Sequence, residues 1–562
     1  MLSFFFIVAK SYDIPLRVHY DTSYLIYKKC ICNSTSETTC FATTCSENEI
    51  PKSDSIDKVN KTLKSVSNHI SKLLYAKYPR QKVNPSPYSD NPEFLDYPSP
   101  PSVVDSADVY IQVVMKSLEA TGQNAYSYIH NTTEITPSHG LLVLSTSYVN
   151  NVPASDINST DRRLFNTIIH ETFHILGLQL GYFAEWIDPS TNKTYGDSMN
   201  VISSSKIPDY GDKQFNLLNT PKSQEVIKKP FNITDDDETD IGIELEDGGS
   251  TSKLSHTEAR VFYGDIMMGY DNFNLAISDI TLAMLEDTGY YKVDYNYSEP
   301  LAWGDSRFFN GTITEDFLFD QPSNFPQNYL CTDNDAITQA NMGDDYRICS
   351  FDYIGLARCK IQQSIDCSSS DKSDDEKYYC GGIEFFNPNN NTYTGTDRIV
   401  DWIPAKETIS LCQKNQRCAM IGTIQSNTGK CVNLVSYDNT SYTIEYNGQK
   451  ATCTNEGEFV KLGDKYVKCE HIFAYQNVEN YYKNTKSMMN GGFIEIEPQP
   501  TPIIDPEPDE SNKKLLMKIL IPIAAIIVLI VIVLIIICFI HKKKKNSSEF
   551  SEKSPKLDDL ID

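Results

Sequence analysis

Cysteine is absent from residues 46–330 and dense on either side, and that asymmetry limits how the chain can be stabilised. Four thiols lie at Cys30, Cys32, Cys40 and Cys45, ten run from Cys331 to Cys469, and the fifteenth is Cys538. Even numbers in both blocks indicate oxidised pairs and a secretory route. The cysteine-free middle must then rest on an apolar core, for which 40% hydrophobic residues in 562 are sufficient. The later block reads as a loop-rich domain stapled by disulfides, and it has no compact paired C-x-x-C arrangement of the structural-zinc kind. A net charge of −25 argues against a nucleic-acid partner, which needs clustered Lys and Arg. The chain carries no internal repeat and no Gly-rich phosphate loop.

Within the cysteine-free region stands His170-Glu171-Thr172-Phe173-His174. Four residues make about one helical turn, so both imidazoles project from one face and can grip one metal ion. Zinc takes neutral nitrogen ligands and an open position for water, and a neighbouring carboxylate, Glu171, can move that water's proton. Asn158 to Asp161 offer N-capping side chains, and Leu164, Phe165, Ile168, Ile169, Phe173 and Leu176 recur at mostly helical intervals. Gly177 is placed to end the helix. A third ligand must come from elsewhere, and His256 is the best candidate. His541 abuts an apolar span, His471 lies in the cysteine-rich region, and the other histidines precede the motif. Eleven residues beyond His256 comes Met267.

On His170, Glu171, His174, Gly177, His256 and Met267 the chain resembles the leishmanolysin-like metallopeptidases of the metzincin group. The stretch 277–291 and Trp303-Gly304 extend the resemblance, which covers about residues 105–370. It implies a zinc endopeptidase with one Zn2+ held by His170, His174 and His256. Glu171 would be general base and then general acid, and Met267 an apolar floor beneath the ligands. If the methionine turn were read at Met268, Tyr270 would fall where some metzincins place a tyrosine that stabilises the oxyanion. The family also implies an edge strand that pairs with extended substrate, for which Leu141, Leu142, Val143 and Leu144 are nominated.

Two departures from the family pattern matter. The separation of His174 from His256 is long and acidic, and 235–240 with 244–247 reads as a solvated loop or as a cation or substrate contact. The family's cysteine-bearing pro-segment motif is missing. Cys30 or Cys32 could cap zinc in its place, although pairing of the four N-terminal cysteines into two disulfides explains them better.

Residues 519–540 are almost wholly apolar and span roughly 33 Å as a helix, long enough to cross a bilayer. Lys542 to Lys545 follow at once and put the C-terminus in the cytosol. A short apolar start resembles a signal sequence, and sequons at Asn60, Asn131, Asn158, Asn192, Asn232, Asn296, Asn310, Asn390 and Asn439 agree with an extracellular body. The expected localisation is a single-pass type I cell-membrane protein.

The expected fold class is α+β. A metzincin-like zinc peptidase catalytic domain with an inserted segment precedes a disulfide-rich C-terminal domain and one transmembrane helix. The expected boundaries are a signal sequence at 1–9 and an N-terminal or pro-segment at 10–100. A subdomain with the zinc helix follows at 101–180, the insertion at 181–255, and the third ligand, turn and following helix at 256–305. The cysteine-rich domain takes 306–492, a Pro/acidic stalk 493–516, the transmembrane helix 517–541 and the tail 542–562. Strands are expected at 109–115 and 141–144. Two functions fit: a surface zinc endopeptidase acting on extracellular or host proteins, or a surface adhesin or receptor on a peptidase scaffold. An intact Glu171 favours the first. The sequence does not speak to oligomeric state.

Overall fold

The computed structural model describes residues 14–482 except 27–31, 36, 38–43, 88–98, 131–134, 232, 234–240, 250–251, 309–314, 327, 439, 471–474, 476–477 and 479–480. The signal sequence, stalk, membrane span and cytosolic tail expected from sequence lie outside the described residues. Among the described residues no helix is long and apolar enough to cross a membrane.

The fold is mixed helix and sheet. A four-stranded sheet has the order Val18–Asp21, Val109–Lys116, His139–Ser145, Ala125–Ile129. The first three strands run parallel and the last antiparallel. Val109–Lys116 and His139–Ser145 are buried at every position, as near-continuous apolar strands covered on both faces should be. Helix Ser55–Leu73 and the motif helix Arg163–Ile175 share one apolar cluster with Val113, Met115, Leu142 and Leu144. Val114, Leu141 and Val143 form a separate cluster with Leu118, Tyr126 and Tyr128, as period-two alternation requires.

Sequence reading put Leu141 to Leu144 at the sheet edge; the structure corrects this. They are paired on both sides, and the edge strand is Ala125–Ile129. The segment 10–100 packs against the rest of the fold. Its described part supplies the strand Val18–Asp21, a strand Leu74–Ala76 paired with Tyr291–Val293, and a helix that buries Val59, Leu63, Val66, Ile70 and Leu73. Those residues recur at three and four positions, so the helix presents one apolar stripe to the core. The described part of the segment is thus woven into the sheet and the core.

The insertion folds into a three-stranded sheet, Ile202–Lys206, Gln214–Leu218 and Ile243–Glu244, and a helix Pro221–Lys228. That helix begins on a carboxylate from elsewhere: Asp287 accepts from the backbone of Lys222 and Ser223 at 2.9 and 2.7 Å. The cysteine-rich part contains a six-stranded sheet. All ten of its cysteines pair, as Cys331–Cys359, Cys349–Cys418, Cys367–Cys380, Cys412–Cys431 and Cys453–Cys469. Near the N-terminus Cys32 pairs with Cys45, so Cys32 is no thiolate cap; Cys30 and Cys40 lie outside the described residues. The sequon residues Asn60, Asn192, Asn296 and Asn390 are exposed.

Candidate metal centre

The motif helix starts at Arg163, later than the capping run suggested. Asp161 pairs with the Arg163 guanidinium at 2.7 Å, and its Oδ1 accepts the Arg163 backbone N–H at 3.3 Å. At the other end Gly177 takes a positive φ of 118°, which a glycine adopts without penalty, and the chain turns so that Leu178 faces back on the helix.

His170 and His174 project from this helix, and His256 reaches them across 82 residues of sequence. It is delivered by the insertion. The Glu246 N–H donates to the His256 carbonyl at 2.9 Å, and Thr257 forms bridges to Leu245 on one side and Met268 on the other. The three Nε2 atoms stand 3.1, 3.1 and 3.3 Å apart.

Each ring is held from behind by a backbone carbonyl. His170 Nδ1 lies 2.6 Å from Ile266 O, His174 Nδ1 2.5 Å from Leu178 O, and His256 Nδ1 2.9 Å from Ser252 O. A carbonyl can only accept, so each Nδ1 donates its proton there and each Nε2 is the nitrogen turned toward the other two rings. Burial, with the His170 ring beside it, pulls His256 down to about 3 and His174 well below its ordinary value, so both stay neutral. Three converging lone pairs repel one another unless a cation lies between them. Tetrahedral zinc bound by imidazole at 2.0–2.1 Å separates its nitrogens by about 3.3–3.4 Å, and these residues fit it.

Glu171 is buried on the same helix and accepts a hydrogen bond from the Ser127 hydroxyl at 2.7 Å. Burial raises its carboxyl above the ordinary value, against the pull of the His170 ring and the Ser127 hydroxyl. Ser127 belongs to the edge strand and was not picked out from sequence. Its signal was the Tyr126-Ser127-Tyr128 alternation, with the small polar residue on the helix side. Met267 is fully buried next to Ile266, the residue that holds His170. Tyr270 is engaged elsewhere: its hydroxyl donates to Glu407 at 2.6 Å and lies against Lys360.

The acidic insertion is only partly what its composition suggested. Residues 234–240 lie outside the described residues, but Glu244, Glu246 and Asp247 are buried, not solvated. The Lys213 ammonium sits 2.7 Å from Asp401, 3.3 Å from Glu244 and 3.5 Å from Asp247, while Arg260 pairs with Glu244 and, at 3.1 Å, with Asp401. Glu258, two residues past His256, accepts from the Arg260 backbone.

A family model described as Leishmanolysin matches residues 145–484. The ciliated left-right organizer metallopeptidase of Danio rerio is 28% identical over 207 residues, 36% of this chain and 28% of that protein. A leishmanolysin-like peptidase of Caenorhabditis elegans is 30% identical over 166 residues, 25% of this chain and 24% of that protein. A leishmanolysin homolog of Crithidia fasciculata is 28% identical over 191 residues, 33% and 26% of the two chains. The match therefore spans about a quarter of the length of these curated relatives.

Proposed function

The chain belongs to the leishmanolysin family, and we propose on that premise that it is a cell-surface zinc endopeptidase hydrolysing extracellular or host proteins. The observation that carries this reading is the convergence of three Nε2 atoms within 3.3 Å, with the Glu171 carboxylate one residue from the first. Zinc held by His170, His174 and His256 would supply Lewis acidity, acidifying a water molecule and polarising the scissile carbonyl. Glu171 takes the water proton and delivers it to the departing amine; burial raises its carboxyl above the ordinary value, the direction that favours a group that both accepts and releases a proton. The Ser127 hydroxyl fixes which carboxylate oxygen is engaged and leaves the other for the proton.

Substrate would lie along Ala125–Ile129. Its inner bonds to His139–Ser145 are bracketed by Ser145 N–H to Asn124 O and His130 N–H to His139 O. Antiparallel alternation then turns the backbone of Ala125, Ser127 and Ile129 outward, where an extended peptide can pair as an added strand. Surface placement rests on the apolar run at 519–540 followed by Lys542 to Lys545, and on the disulfides.

The test is cleavage of an unstructured protein by purified ectodomain, with and without chelator, beside Glu171→Ala at equal zinc content. Cleavage that stops with chelator and is absent from zinc-loaded Glu171→Ala supports the peptidase. A zinc-loaded wild type that stays inert hands the site to the adhesin reading.

A further inference from the structure

Asp265 is a carboxylate with no exposed surface, and its side-chain hydrogen bonds go to Thr257, Met267, Ser278 and Thr281 rather than to His170, His174, His256 or Glu171. Its Oδ1 accepts the Met267 N–H at 2.8 Å, the Thr281 hydroxyl at 2.8 Å and the Thr257 hydroxyl at 3.2 Å. Its Oδ2 accepts the Ser278 hydroxyl at 2.5 Å and Thr281 again at 3.0 Å. A buried charge with so many donors is the centre of something.

The donors come from three places that the metal centre needs in register. Thr257 follows the ligand His256, and its N–H also bonds the Met267 carbonyl at 3.0 Å. Met267 follows Ile266, whose carbonyl fixes the His170 ring. Ser278 caps helix Asp279–Asp287, and Thr281 lies in that helix's first turn, a rigid base for the other two. One side chain thus ties the segment of the third ligand to the carbonyl that orients the first.

We infer that Asp265 is a positioning residue for the metal: by holding the Met267 and Thr257 segments on one carboxylate it sets the His170 and His256 rings for metal binding. The inference rests on the zinc reading proposed above. Partners of metal ligands typically contribute 10–100-fold in affinity.

The experiment measures zinc affinity by competition with a chromophoric chelator, and the visible spectrum after cobalt substitution. It uses the ectodomain as wild type, Asp265→Ala, Asp265→Asn and Leu282→Ala. Leu282 is buried in the same helix and serves as a control for lost stability. Asp265→Ala should bind zinc about 10–100-fold more weakly with a changed cobalt spectrum. Leu282→Ala should keep wild-type affinity and spectrum at temperatures where it is folded. Equal affinity and spectra in Asp265→Ala and Leu282→Ala overturn the inference. If Asp265→Ala does not fold, Asp265→Asn decides: it keeps one accepting oxygen, so a smaller loss is expected, and no loss overturns the proposal. Failure of wild type to bind zinc sinks the zinc reading itself, and this inference with it.

Discussion

On the proposed mechanism Glu171 works through a hydrogen bond supplied by a strand, which makes Ser127 a sharper test of that chemistry than the histidines are. Donation to the charged carboxylate lowers its pKa, so Ser127→Ala should raise the Glu171 pKa further. The acid limb of kcat/KM should move to higher pH with zinc content unchanged; an unmoved limb would show that the bond is not made in the working enzyme. Glu171→Gln should lose about 10²–10⁴-fold in kcat and keep its metal, measured at equal zinc. A second pH effect concerns stability. Burial, with His130 alongside, lowers the His139 pKa to about 3, so below about pH 6.5 the unfolded chain takes up the proton first. Stability should therefore fall from pH 6.5 downward, and His139→Gln should flatten a plot of Tm against pH over that window; an equally steep plot rejects the assignment. His170, Glu171 and His174 were legible because they share one helical turn, and His256, 82 residues from His174, by elimination among the remaining histidines and by Met267 eleven residues beyond it. Ser127 was not, because it lies 44 residues from Glu171 and is brought there by sheet pairing. Spacing alone also left Tyr270 open, since its partner Glu407 is 137 residues away.

Among the elements, periodicity located the motif helix and two central strands, but strand order had to come from pairing. An unbroken apolar run such as Leu141 to Leu144 is the mark of a strand covered on both faces. Ala125–Ile129, half-buried at four of its five positions, is the edge, and its Tyr-Ser-Tyr centre differs from that apolar run. The helix Ser55–Leu73 gives the opposite lesson. Its apolar stripe is plain in the sequence, yet only the structure places it on the same core as the metal helix. Ile70 is fully buried there, and Ile70→Ala should cost about 2–5 kcal/mol through lost burial and an unfilled cavity. Chemical denaturation would read it. A cost under 0.5 kcal/mol would mean that the helix docks loosely and could be shed as a pro-segment.

For the molecule as a whole, cysteine content suggested a break near residue 306, but it marks where crosslinks are used and not where the core ends. One buried apolar cluster runs from Leu16 to Tyr481 and includes residues on both sides of that point. The polar tie is as continuous. Lys213 and Arg260, both fully buried, join Glu244 of the insertion and Asp401 of the cysteine-rich part, and Arg260 lies four residues past His256 of the candidate metal centre. No sequence pattern announces such a network, because its members are scattered and each acid looks like a solvated surface charge until its counter-ion is known. Removing one partner from a buried ion pair leaves an uncompensated charge and costs about 3–5 kcal/mol, more than the pair itself contributes over apolar packing. Arg260→Met should therefore lower the guanidinium midpoint steeply. Two reporters stand on the network: the Trp303 indole N–H donates to the Arg260 carbonyl at 2.8 Å, and Trp402 follows Asp401. In wild type, tryptophan fluorescence and zinc release should change together, since the third ligand and the cysteine-rich part share this tie. In Arg260→Met zinc should leave at lower denaturant than the disulfide-bonded sheet unfolds. Zinc release well ahead of the fluorescence change in wild type would mean that the metal centre and the cysteine-rich part are separate cooperative units after all.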